Sequence, residues 1–64
     1  MTIKLLETMN SCVTQGEKPI AAGTVMTKYF SQLSWSYFKD AAGNTLIIMG
    51  YGSADWQKVS IIAQ

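Results

Sequence analysis

Hydrophobic positions change their period partway along this chain. From Ile3 the apolar residues are Ile3, Leu5, Leu6, Met9, Cys12 and Val13. The steps 3, 6, 9, 13 and 5, 9, 12 follow one helical stripe. Thr2 can cap its start and Gly16 can stop it, so the spacing predicts a first helix over about 3–15. Glu17, Lys18 and Pro19 then connect to a short extended segment over 19–23. Thr24 caps a second stripe of Val25, Met26, Tyr29, Phe30 and Leu33. That spacing predicts a second helix over about 25–33, although Val25 and Thr27 are poor helix formers.

After Leu33 the period becomes two. Trp35 and Tyr37 fall on one face of a strand, with Ser34, Ser36 and Phe38 on the other. Asp40–Asn44 reads as a hairpin loop, because Gly43 and Asn44 tolerate a left-handed backbone. A second strand is expected over Thr45–Gly50. Its Leu46-Ile47-Ile48-Met49 centre is apolar on both faces, as in a strand covered from both sides. Gly50–Asp55 forms the next turn, and a third strand runs from about Trp56 to Ala63. Val59 and Ile61 share one of its faces. The expected fold is therefore α+β: two N-terminal helices followed by a three-stranded antiparallel β-meander, in one domain over residues 1–64.

Size and composition bear on assembly. A chain of 64 residues lies near the limit at which burial offsets chain entropy without help. Cys12 is the only cysteine, so no intrachain disulfide can form. With no histidine, one thiol and four carboxylates make a structural zinc site implausible. The chain is 48% hydrophobic and 14% charged, against about 25% charged in an average soluble domain. The sheet face opposite the helices would remain apolar. A homodimer or higher homo-oligomer is expected to cover it, the alternative being a densely packed monomer.

Charge and chemistry narrow the function. The net charge is +1, with five lysines and no arginine. That is a poor footprint for a nucleic-acid binder. Nucleophilic catalysis lacks a histidine base, and Cys12 reads as a small buried hydrophobe. Asp40 and Asp55 sit in successive turns, which a meander sends to opposite ends of its sheet. The Gly50-Tyr51-Gly52-Ser53 turn lacks the lysine and helix of a phosphate loop. The sequence therefore implies no enzyme, no cofactor and no metal. No targeting or membrane-spanning run is visible, and an unpaired cysteine fits a cytoplasmic protein.

The aromatic residues remain. Tryptophan and tyrosine suit half-wet interfaces. Trp35 and Tyr37 point the same way, and Tyr51 and Trp56 flank the second turn. The candidate binding set is Trp35, Tyr37, Lys39, Tyr51, Trp56 and Lys58. The first expectation is a protein-binding module whose partners are itself and another protein. Small cysteine-poor inhibitors and adaptors of phages and mobile elements offer an analogy of size and kind only. The second is a binder of a small anionic, nucleotide-like ligand, closed between two copies by aromatic stacking and Lys39 or Lys58. The third is a winged-helix-like nucleic-acid binder reading with Thr24, Thr27, Lys28, Ser31 and Gln32.

Overall fold

A computed structural model describes residues 1–11, 18–50 and 52–64. The domain is all-β. Among the described residues seven strands run β1 (Thr2–Leu5), β2 (Met9–Ser11), β3 (Lys18–Ile20), β4 (Val25–Gln32), β5 (Trp35–Lys39), β6 (Thr45–Met49) and β7 (Val59–Ala63). A 3-10 turn, Ala54–Lys58, precedes β7. Five strands form one antiparallel sheet in the order β6-β5-β4-β1-β7, and β2 and β3 form a separate hairpin. Among the described residues no helix is long and apolar enough to cross a membrane.

The α+β expectation is thus overturned. The first helix, expected over 3–15, is replaced by two strands, β1 and β2, across the Leu6–Thr8 loop. Ile3 and Leu5 are buried on one side at strand period, and Met9 is buried from the hairpin. Three buried residues from two elements mimicked one helical stripe. Cys12, Val13 and Gly16, which belonged to that expected helix, lie outside the described residues.

The second helix, expected over 25–33, is strand β4. Its helical look comes from a β-bulge. Lys28 pairs with Phe38 and Phe30 with Tyr37, so Tyr29 is an extra residue between them. Before the bulge Met26 faces the core; after it Phe30 faces out. The four residues Val25, Met26, Tyr29 and Phe30 therefore do not form one stripe: Met26 is buried, while Val25, Tyr29 and Phe30 are exposed. The run is also rich in β-branched and aromatic residues, which favour strands. With both helices gone, the winged-helix comparison loses its basis.

The C-terminal half follows the expected pattern more closely. β5, the Asp40–Asn44 loop and β6 form a hairpin, and Gly43 has φ +86°. The expected third strand begins later, after the 3-10 turn that holds Trp56. It also pairs elsewhere. β7 runs antiparallel to β1, with Leu5 opposite Val59, rather than beside β6. The expected meander is therefore interrupted. Val59 is buried, but Ile61 on this edge strand is largely exposed.

One core results. Ile3, Leu5, Met26, Phe38, Leu46 and Ile48 are essentially sealed from water. The β2–β3 hairpin closes over them with Met9 and Ile20, which are paired across it. Trp56 packs edge-on against Phe38 at 6.2 Å and donates its indole N–H to the Gly50 carbonyl at 2.7 Å. The hairpin and the 3-10 turn thus cover the face that helices were expected to cover.

The bulge gives a direct test of the strand assignment. Met26→Ala is expected to cost about 2–5 kcal/mol through a core cavity. Phe30→Thr should stay within about 1 kcal/mol, since its ring is outside. Urea denaturation of both variants checks this. Comparable losses would contradict the inward–outward switch.

Candidate functional site

Strand alternation gives the sheet a second face. On β5, Ser36 and Phe38 point to the core, so Trp35, Tyr37 and Lys39 point away from it. On β6, Ile47 and Met49 join them, because Tyr37 pairs with Ile47 and Trp35 with Met49. On β4 the bulge turns Phe30 outward and leaves Tyr29 beside it. The rings interlock edge-to-face. Tyr37 lies 5.4 Å from Phe30 and 6.4 Å from Tyr29, and the Lys39 ammonium sits 5.2 Å from the Tyr29 ring centre.

This outer face is apolar and unshielded. Val25, Tyr29, Phe30, Trp35 and Met49 are each 42–53% exposed, and Leu33 is 96% exposed. Taking about 200 Å² for a whole aromatic side chain and somewhat less for the aliphatic ones, these six offer on the order of 600 Å² to water. That is the top of the range for the largest apolar patch of an ordinary monomer. The whole surface is 4118 Å².

The β4–β5 turn adds a second feature. Only Leu33 and Ser34 separate Gln32 from Trp35, which are paired. Leu33 has φ +57°, and no other described non-glycine residue has a positive φ. A two-residue hairpin loop with a left-handed first residue is the place for glycine. A leucine held there costs about 1–2 kcal/mol. Beside it lies a shallow notch of about 220 Å³, lined by Gln32, Leu33, Trp35 and Tyr37.

The structure divides the six residues expected to form a site. Trp35, Tyr37 and Lys39 stand together on the outer face. Trp56 and Lys58 do not join them. Trp56 is turned inward against Phe38, and Lys58 lies 3.5 Å from Asp55 at the 3-10 turn. Tyr51 lies outside the described residues. Lys58 and Asp55 instead border a groove of about 250 Å³ with Thr8, Met9, Asn10 and Leu46. Of the pocket expected to close between two copies, Trp35 and Tyr37 thus lie on the outer face and Trp56 on the core side. Sequence reasoning missed Val25, Tyr29, Phe30, Leu33 and Met49, mostly because the second helix had absorbed them. The alternation of Val25, Thr27 and Tyr29 was the available signal.

Comparison of the chain with protein-family models, with curated proteins and with solved structures gave no match. The site rests on its own geometry.

Charge enters at one corner. The Asp40 carboxylate accepts from the Asn44 side-chain amide at 2.9 Å and from the backbone N–H groups of Asn44 and Ala42 at 2.8 and 3.0 Å. The Asn44 side-chain bond is the main reason the carboxyl titrates below its ordinary range. Burial opposes that, and the backbone donors reinforce it. Asp40 thereby fixes the loop that follows Lys39. Among the described residues no three of His, Cys, Asp and Glu gather at metal-binding distance.

A carboxyl with a lowered folded-state pKa stabilises the fold above its unfolded value and loses that contribution as pH falls through the folded one. Asp40→Asn should therefore be less stable than the wild type near neutrality. The difference should shrink on acidification below about pH 4, the unfolded carboxyl value. Thermal melts of both proteins across that window check it. A gap that widens in acid would contradict the assignment.

Proposed function

We propose that this chain is a non-enzymatic binding protein that works by protein–protein interaction, with the outer face of β4, β5 and β6 as its docking surface. The observation that carries the reading is the exposed aromatic–aliphatic patch around Phe30, Trp35 and Tyr37. Partly ordered rings that already pack on one another give contact area at low entropic cost. Lys39, held over Tyr29, supplies a cation at the rim, where it adds orientation more than affinity.

The remaining chemistry supports the same reading. Asp40 is engaged within its own loop, and Asp55 pairs with Lys58 and lies on another part of the molecule. The chain has no histidine to act as a base. A docking surface of the inhibitor or adaptor kind needs none of this.

A photo-crosslinking amino acid placed at Phe30, in the full chain expressed in cells, tests the reading. Protein adducts are expected from position 30 and few from Gln57, an exposed position on the 3-10 turn. Equal yields at the two positions, or adducts at 30 only to nucleic acid, would sink it.

A further inference from the structure

We infer that the outer face is occupied by a second copy of this chain, with Leu33 of each copy seated in the notch beside Trp35 and Tyr37 of the other. The inference rests on the preceding reading of this face as a protein-docking surface and names its occupant.

Three observations carry it. The first is Leu33 itself. A large apolar side chain is almost wholly in water at a backbone position suited to glycine. It is unfavourable twice over in an isolated molecule, by conformation and by exposure. Both penalties point to a role for the side chain outside its own monomer. The second is self-complementarity. A two-fold interface requires one surface to carry both halves of each contact. Here a protruding leucine and a notch of about 220 Å³ lie side by side. A two-fold axis between them places each leucine in the other copy's notch and lays the two aromatic faces together, as in sheet-on-sheet packing.

The third is area. Six side chains offering on the order of 600 Å² per copy give about 1,200 Å² across a two-fold, where stable interfaces begin. The half-buried Tyr37 and Ile47 and the polar rim of Gln32, Thr27 and Thr45 raise that further. The described strands carry no carboxylate, and Asp40, which borders the face beside Val25 and Lys39, is already hydrogen-bonded within its own loop.

Sedimentation velocity of the full chain, from low micromolar to near-millimolar protein, tests the inference with Leu33→Gly and Ile62→Thr as variants. The wild type is expected to dimerise. Leu33→Gly should weaken the dimer about tenfold or more, while the thermal midpoint of the dissociated chain rises or holds. That combination separates a lost contact from a damaged fold. Ile62→Thr, on the free edge of β7, should leave the dimer unchanged. A monomer at every concentration would overturn the inference, and crosslinks from position 30 to a different protein would then still sustain the docking reading. A dimer that survives Leu33→Gly, or that fails only with Ile62→Thr, would overturn it in favour of another interface.

Discussion

Everything in this structure follows from a sheet that can cover only one of its faces. A short chain has enough residues for one core, and here that core takes Ile3, Leu5, Met26, Phe38, Leu46 and Ile48 from the inner side of four strands. The small β2–β3 hairpin and the 3-10 turn close over it. Nothing among the described residues lies over the other side. Strand geometry then sends every second residue outward. In β4, β5 and β6 those residues are largely aromatic or aliphatic. The exposed patch is thus a direct result of strand alternation combined with a limited supply of covering elements.

The legible parts of the fold were those whose signal is local. Trp35, Tyr37 and Phe38 alternate cleanly, and Asp40–Asn44 has the residues a hairpin loop requires. β5, β6 and their loop could be read on that basis. The N-terminal half could not. Ile3, Leu5 and Met9 belong to different elements that meet at one core, so their spacing imitates a helix. In β4 the bulge at Tyr29 breaks the period of two by a single residue, and an irregular strand of that kind resembles a helical repeat. The partner of β7 was illegible for a different reason. Val59 pairs with Leu5 from the far end of the sequence, and no local pattern encodes that choice.

The site was half legible for the same reasons. Trp35, Tyr37 and Lys39 fall on one face because they lie on one regular strand. Trp56 was misplaced because an amphipathic side chain next to a turn can face either way, and here Phe38 and the Gly50 carbonyl draw it inward. Leu33 was invisible. The loop it occupies has neither glycine nor asparagine, the residues by which such a turn is recognised. The residue most out of place in its own monomer thus sits where sequence rules have least to say.

The central place of β1 has a consequence for how the domain comes into being. β1 lies between β4 and β7, and its Leu5 pairs with Val59. Hydrogen bonds on one of its sides therefore wait for residues made far later in synthesis. Contacts so distant in sequence are slow to form. Until β7 arrives, a nascent chain presents β1 as an open strand edge together with the greasy outer surface. Only once Val59–Ala63 has been made can β1 be paired on both of its sides, so the sheet closes late relative to the strand at its centre.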